Sequence, residues 1–214
     1  MESYTQQDEV DKLKTWWKSY GNSLVIGLLL GVGILFGNKY WDRNRVEQSA
    51  AASSLYEQLV TNIKNNNSKA SKVTSGKIIS DYKSTPYATM AALLMARVNF
   101  EKGDVASAQS QLQWAVDNAT EDTLGHVARI RLARVLLSQG KIKEAGKLVL
   151  GVDDGDMAGY KAEYYEVIGD IYAKQGNIAS ARLAYQKAID NTGKTSGYKS
   201  ILSMKLDSTS EAKP

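Results

Sequence analysis

The stretch from Ile171 to Ile189, IYAKQGNIASARLAYQKAI, carries the strongest structural pattern in this 214-residue chain. Gly176 separates two runs of good helix formers, and Ala181, Tyr185 and Ala188 then follow at spacings of four and three. Those spacings place three side chains on one face of a helix. The stretch therefore predicts two helices that meet at Gly176, with the second helix buried along that face.

Two earlier stretches repeat the pattern: NFEKGDVASAQSQLQWAV from Asn99 and LLSQGKIKEAGKLVLGV from Leu136. Gly103, Gly140 and Gly176 lie 37 and 36 residues apart, and each is followed five residues later by an alanine. A glycine accepts the positive φ that ends a helix, and a small alanine lets the next helix approach closely. A period of this length indicates a solenoid of helix pairs.

The rest of the composition also favours helices. The chain has only two prolines, Pro86 and Pro214, and long stretches rich in Ala, Leu, Lys, Gln and Glu. Strand patterns are absent apart from one isolated turn signal at Asp154-Gly155. The predicted fold class is all-α.

The N-terminal stretch from Trp16 to Trp41 is WWKSYGNSLVIGLLLGVGILFGNKYW. Its apolar run, 23–37, spans roughly 22 Å as a helix, but Tyr20 and Tyr40 lie about 30 Å apart, the thickness of a hydrocarbon core. Aromatic rings favour the headgroup layers. We therefore expect an uncleaved membrane span over a buried core helix or a signal peptide, whose nearest small-residue cleavage site, 50–52, lies far downstream.

Charge leaves the orientation of this span open. Three basic residues precede it and three follow it: Lys12, Lys14 and Lys18, then Lys39, Arg43 and Arg45. The net charge of +4 is spread among mixed charges, so we expect no nucleic-acid partner. The absence of cysteine excludes disulfides, thiolate metal sites and a lipid-bearing cysteine, and fits a reducing or an oxidising compartment.

Catalytic patterns are missing. His126 is the only histidine, and no nucleophile elbow, phosphate-binding loop or zinc-protease motif occurs. The acidic cluster Asp153, Asp154 and Asp156 lacks the spacing and final glutamate of a calcium loop. We expect no enzyme, no cofactor and no metal site.

The last repeat resembles a tetratricopeptide repeat, whose pattern places aromatic and small residues at the positions of Tyr165, Ile168, Gly169, Tyr172, Gly176, Ala181, Tyr185 and Ala188. It departs from the family at Gly193, where proline is usual. The two earlier repeats match more loosely, with Ala92 and Arg129 in place of the first aromatic residue.

Over residues 1–206 the chain resembles the YfgM family of ancillary SecYEG translocon subunits of Gram-negative bacteria. The resemblance is carried by DEVDKLKTWWKSYG, the glycine-rich span, NKYWDRNRVEQSAAASSLYEQLV and the degenerate repeats including RIRLARVLL. It implies a cytoplasmic tail at 1–20, a transmembrane helix of the inner membrane at 21–41 and a periplasmic domain at 42–206, with a flexible tail at 207–214. It also implies the partners: the SecYEG translocon, a PpiD-like periplasmic chaperone and secretory proteins as they emerge.

Four glycines in the span form two small-xxx-small pairs, Gly27 with Gly31 and Gly33 with Gly37. Such pairs let the backbones of membrane helices approach closely. They predict that the span packs against partner helices. The alternative is that glycine is simply frequent in membrane helices.

The resemblance to tetratricopeptide repeats implies a groove lined by the first helix of each pair. Its expected members are Met90, Leu93, Arg97 and Phe100, then Val127, Ile130, Arg134 and Leu137, and finally Glu163, Glu166 and Asp170. An apolar centre suits a hydrophobic or helical ligand. Alternatively, the helix near 49–65 or the C-terminal segment covers these residues as ordinary core.

Two classes of function remain after these exclusions. The protein is either an interaction module that assists secreted proteins at the translocon, or a tethered scaffold for envelope assembly or division that acts through self-association.

Overall fold

The computed structural model describes residues 2–193 and 197–209; within the first helix, the side chains of 2–9, 13, 23–26, 29–30 and 32–42 lie outside that description. The described residues form helices and turns without a strand, which confirms the all-α prediction. The helices are α1 Glu2–Lys64, α2 Ser68–Asp81, α3 Pro86–Glu101, α4 Val105–Asn118, α5 Asp122–Ser138, α6 Ile142–Val149, a short 3₁₀ helix Ala158–Tyr160, α7 Lys161–Lys174, α8 Ile178–Asp190 and α9 Gly197–Ser208.

The first of two compact units is Met1–Ala50, and from Glu2 onward it consists of the first part of α1. Its aromatic side chains Trp16, Trp17 and Tyr20 are 46%, 57% and 58% exposed. Within the part of the chain that the structure describes, no helix carries an apolar stretch long enough to cross a membrane. Most of the span expected at 21–41 falls on residues whose side chains lie outside the description.

The segment Ala51–Pro214 is the second compact unit, and it contains the three predicted helix pairs: α3 with α4, α5 with α6, and α7 with α8. The predicted glycines follow the first helix of each pair. Gly103, Gly140 and Gly176 have φ angles of 79°, 74° and 77°. Because this left-handed conformation strains other residues, the glycines end the helices for the reason that the sequence suggested.

The residue after each glycine is the N-cap of the next helix. Asp104 accepts a hydrogen bond from the Ser107 backbone N–H at 3.0 Å, and Asn177 accepts one from the Ser180 N–H at 3.1 Å. These side chains satisfy N–H groups that have no partner inside the helix. Lys141 has no acceptor to offer at the same position, and α6 begins without a side-chain cap.

A fourth pair, which the sequence did not reveal, consists of the end of α1 and α2. Asn66 has a φ of 55° and lies 37 residues before Gly103, so it takes the place of the glycine. Asn67 then caps α2 by accepting from the Ala70 N–H at 3.1 Å. Ser71, only 2% exposed, takes the place of the alanine. Asparagine tolerates the left-handed region better than most residues do.

At one pair of corresponding positions in the four helix pairs, the size of the side chain on the first helix and the size of that on the second helix vary in opposite directions. Going along the chain, the first helices supply Leu59, Ala96, Ala133 and Gly169, and the second helices supply Ser75, Leu112, Val149 and Tyr185. Within the last pair, a methyl group on Gly169 would overlap the ring of Tyr185. The smallest residue of the first set thus occurs with the largest of the second, as close packing requires.

The pairs stack in chain order, with α3 contacting α5 and α5 contacting α7. A small cluster around Leu59, Ile78 and Met95 joins α1, α2 and α3, and the main core extends from α3 to α9. Helix α9 begins 36 residues after α7 and packs on α8, with Leu202 fully buried. It caps the solenoid as the first helix of a further pair would.

The segment 207–214, expected as a flexible tail, starts inside a helix. Helix α9 continues through Asp207 to Ser208. Residues 210–214 lie outside the described residues.

Candidate protein-binding surface

The face expected to line a groove is partly core and partly surface. On α3, Leu93 is buried and Met90 half-buried, whereas Arg97 is exposed and Phe100 is 45% exposed. The first turns of α3 therefore stabilise the fold, and its last turns reach the solvent.

Helix α5 shows the same division between buried and exposed residues. Ile130 and Leu137 are buried in the main core, Val127 is half-buried, and Arg134 is exposed. The part of this face that a partner can reach is thus formed by Arg97, Phe100 and Arg134 rather than by a continuous apolar strip.

Two cavities open along these helices. The first, which we call the α3–α5 cavity, has a volume of about 390 Å³ and is lined by side chains from α3, α4 and α5. The second, the α5–α7 cavity, measures about 430 Å³ and lies among Arg134, Leu137, Asp170 and Lys174. Volumes of this size suit side chains of a bound segment.

Glu166 on α7 is the buried centre of a polar network, with its side chain 8% exposed. Arg134 donates to Glu166 Oε2 at 2.5 Å, and the Tyr198 hydroxyl donates to the same oxygen at 2.7 Å. Lys205 Nζ lies 2.8 Å from Glu166 Oε1. Buried carboxylates need such partners, and here α5 and α9 supply them.

Asp170 extends the network by one turn of α7. Lys205 Nζ contacts both of its carboxylate oxygens at 2.7 Å, and the Tyr185 hydroxyl donates to Oδ1 at 2.8 Å. The C-terminal segment therefore engages the acidic end of the predicted groove, as one of the two alternatives from the sequence stated. Arg134 and Lys205 together balance the charges of Glu166 and Asp170, whereas Glu163, the third acidic residue expected here, is half-buried.

Burial by itself raises the pKa of Glu166, but hydrogen bonds from Lys205 and Tyr198 and the charge of Arg134 outweigh burial. The pKa of Glu166 consequently lies below its ordinary value. Burial raises the pKa of Tyr198, and the hydrogen bond to Glu166 raises it further. At neutral pH Glu166 is an ionised acceptor and Tyr198 a protonated donor.

The glycines of the expected span are only partly described. A methyl group added to Gly27 or Gly31 would meet no atom within 4 Å, so that strip of α1 is open to contact. The surroundings of Gly33 and Gly37 lie outside the described residues.

His126 and the acidic cluster around Asp154, the candidates for catalysis and metal binding, contact tyrosine side chains within the fold. His126 Nδ1 lies 3.0 Å from the Tyr164 hydroxyl, and its ring packs against those of Tyr160 and Tyr164. Asp154 accepts a hydrogen bond from the Tyr165 hydroxyl. Among the described residues, no group of three histidine, cysteine or acidic side chains is arranged to hold a metal ion.

The sequence reasoning missed Arg131, Tyr198 and Lys205. Arg131 directly follows Ile130 and is not among the positions that the resemblance to tetratricopeptide repeats implied. Tyr198 and Lys205 lie on α9, which is outside the three repeats that a glycine followed five residues later by an alanine reveals. The 36-residue offset between the start of α7 and that of α9 is the signal that could have found them.

A family model described as a tetratricopeptide repeat-like domain matches residues 14–211, nearly the whole chain. The chain belongs to this family. The four helix pairs and the capping helix α9 are thus the tetratricopeptide repeat-like domain, and the resemblance seen in the last repeat is confirmed.

Curated relatives of this tetratricopeptide repeat-like protein bear one name, ancillary SecYEG translocon subunit. The relative from Haemophilus influenzae is 28% identical over 186 residues, which cover 87% of this chain and 89% of that protein. The relative from Escherichia coli is 26% identical over 211 residues, covering 98% and 100%. A third, from Neisseria gonorrhoeae, is 26% identical over 205 residues, covering 95% and 96%. The resemblance to ancillary SecYEG translocon subunits is confirmed.

Proposed function

We propose that this protein is a membrane-anchored accessory subunit of the SecYEG translocon, which binds other proteins and catalyses no reaction. The observation that carries the proposal is the end-to-end alignment with relatives of that name, which covers 98% of this chain and 100% of the Escherichia coli protein. The match includes the tail and the glycine-rich stretch as well as the repeats. A helical solenoid with an accessible face, described above, suits an interaction module.

The anchor is the segment 21–41, with residues 1–20 in the cytoplasm and 42–206 in the periplasm. Exposed Trp16, Trp17 and Tyr20 support it, since amphipathic rings of this kind favour the headgroup layer. The open strip at Gly27 and Gly31 supports lateral packing against a membrane helix of the channel.

The repeat domain would then hold a PpiD-like chaperone and emerging secretory proteins close to the channel exit. Arg97, Phe100 and Arg134 are the accessible part of the face through which it does so. Aromatic and arginine side chains are the types that contribute most to protein interfaces.

Copurification from gently solubilised membranes tests the proposal. We expect SecYEG subunits and a PpiD-like chaperone to be recovered with the tagged full chain. Recovery of this chain alone, or of envelope-assembly and division proteins without SecYEG, would contradict it and favour the self-associating scaffold.

Protease treatment of spheroplasts tests the orientation separately. We expect the domain from about residue 42 to be digested and the N-terminal tail to be protected. A protected domain would reverse the orientation, and a mature N-terminus near Ala52 would remove the anchor.

A further inference from the structure

The α3–α5 cavity is apolar inside. Leu93, Ala96, Leu112 and Val135 line it from three helices, and all four are buried residues of the main core. Phe100 stands at its edge with 45% of its surface exposed. Removing such a surface from water favours the binding of an apolar side chain.

Three arginines line the same cavity: Arg97, Arg131 and Arg134. Arg97 donates to Glu101 at 2.7 Å, and Arg134 donates to Glu166 at 2.5 Å. No hydrogen bond or ion pair joins Arg131 to any group in the described parts of the chain. Arg131 is therefore the one cation of the three whose carboxylate partner is missing.

The surroundings of Arg131 are positive as well as apolar. Arg131 is exposed at the surface, but its partial burial lowers its pKa, and the positive charges of Arg134 and Arg97 lower the pKa further. The negative charge of a bound carboxylate would offset the repulsion from the two neighbouring arginines, and the planar guanidinium can bind a carboxylate through two parallel hydrogen bonds.

The number of charges argues for a protein rather than a lipid or nucleic-acid ligand. Sites for anionic membranes use clusters of about four to eight basic residues, and nucleic acids need an extended basic stripe. Here two of the three arginines are already neutralised, and one unpaired cation beside an apolar cavity matches one carboxylate beside an apolar side chain.

We propose that the α3–α5 cavity binds an acidic and apolar segment of a partner protein, with a bulky apolar side chain in the cavity and a carboxylate on Arg131. This inference rests on the proposed function, because it names the kind of segment that the repeat domain holds. Arg131 supplies the selectivity for charge, and the lining of the cavity supplies the contact area.

The test is fluorescence anisotropy with the full chain in a neutral maltoside detergent. The probe is a labelled twelve-residue peptide with Phe and Leu between glutamates, and the matched probe replaces every glutamate with lysine. We expect the acidic peptide to bind and the basic peptide to bind at least tenfold more weakly. Added salt should weaken the acidic peptide's binding.

Two variants test whether Arg131 provides the positive charge that binds the acidic peptide. Arg131→Gln should weaken binding of the acidic peptide about tenfold, which corresponds to the loss of one charged hydrogen-bond pair. The matched control, Arg182→Gln, removes an exposed arginine from α8 that does not line the cavity and should bind as the unaltered chain does. Circular dichroism confirms that both variants remain folded.

Equal binding of the two peptides, or undiminished binding by Arg131→Gln, would overturn the inference. Loss of binding to anionic vesicles on Arg131→Gln, with peptide binding unchanged, would overturn it in favour of a lipid ligand. SecYEG recovery, measured in parallel, separates the two proposals. A chain that copurifies with SecYEG but shows no preference for the acidic peptide keeps the proposed function and loses this inference.

Discussion

At Gly169, the backbone of α7 approaches the ring of Tyr185 so closely that a methyl group has no room. The hydroxyl of Tyr185, on α8, donates a hydrogen bond to Asp170 on α7. The ring therefore cannot move away from Gly169 without losing this bond. This contact gives the last pair its close packing, and it makes the position intolerant of any side chain.

We expect Gly169→Ala to lower the free energy of unfolding by about 1–3 kcal/mol through overpacking. The measurement is urea unfolding of the purified full chain in mild detergent, followed by circular dichroism. Gly76→Ala on α2 is the matched control, because its methyl group would meet no atom within 4 Å. That variant should be as stable as the parent or more so by up to about 1 kcal/mol, since alanine favours a helix over glycine. Equal destabilisation by both would contradict the contact.

Ionisation of Glu166 makes the folded chain less stable at acidic pH than at neutral pH. Its pKa is lower in the folded chain than the ordinary value of about 4.3, so its stabilising effect is complete above that value. The effect is lost as the pH falls through the folded pKa.

We expect Glu166→Gln to be less stable than the parent by about 1–3 kcal/mol at pH 6, because it weakens charged hydrogen bonds with Arg134, Tyr198 and Lys205. The difference should shrink as the pH falls below the ordinary pKa of a glutamate and through the lower pKa of the folded chain, because the parent carboxylate then takes up a proton. Urea unfolding at intervals between pH 3 and 6 measures it. Parallel stability curves for the two chains would show that Glu166 does not titrate in this way.

Among the elements, α9 determines how the solenoid ends. Its Leu202 is fully buried in the main core, while Met204 on the same helix is 63% exposed. Both lie on a helix that also supplies Tyr198 and Lys205 to Glu166. Burial at one position and polar contacts at two others therefore keep α9 docked.

Leu202→Ala should cost about 2–5 kcal/mol, because it removes buried methyl groups and leaves a cavity. Met204→Ala is the control on the same helix and should change stability by less than about 1 kcal/mol. Thermal unfolding of the two variants is the measurement. Similar melting temperatures would mean that α9 is not docked in solution.

The sequence predicted the three pairs that a glycine marks, because positive φ restricts the choice of residue at Gly103, Gly140 and Gly176. It did not predict the pair formed by the end of α1 and α2. There Asn66 adopts the same conformation, and an asparagine is too common in turns to reveal the period. Pattern reasoning finds a repeat where the backbone leaves few alternatives and misses it where side chains substitute for one another.

The binding face was predictable only in outline. The resemblance to tetratricopeptide repeats implied Arg97, Phe100 and Arg134, which the structure places at the surface, and also Leu93, Ile130 and Leu137, which it places in the core. Such a resemblance indicates which side of a helix faces the groove, but burial depends on the neighbouring helices. The unpaired state of Arg131 depends on contacts between helices, so no single-helix pattern could reveal it.

At the scale of the whole molecule, anchor and repeat domain should contribute separately to binding. Replacing Gly27 and Gly31, or Gly33 and Gly37, with leucine would hold partner backbones apart while leaving membrane insertion intact or favoured. We expect SecYEG recovery to fall severalfold and the membrane-bound fraction to stay constant. Leu28→Ile is the volume-matched control and should change neither quantity.

Full recovery of SecYEG with both glycine variants would exclude glycine packing as the contact. A soluble fragment from about residue 42 completes the comparison. We expect it to lose the channel and to keep the chaperone.

The stacking order of the helices has a consequence for how the chain acquires its structure. Among the described residues, the main helix contacts join neighbours or next-but-one helices, so the core is built from contacts that are local along the chain. Chains with such local contacts fold quickly, and solenoids can grow from one end. A polypeptide released gradually, N-terminus first, could complete each pair as soon as the next 36 or 37 residues become free. The carboxylates of Glu166 and Asp170 would gain their lysine partner only with the arrival of Lys205, which makes docking of α9 the final event of folding.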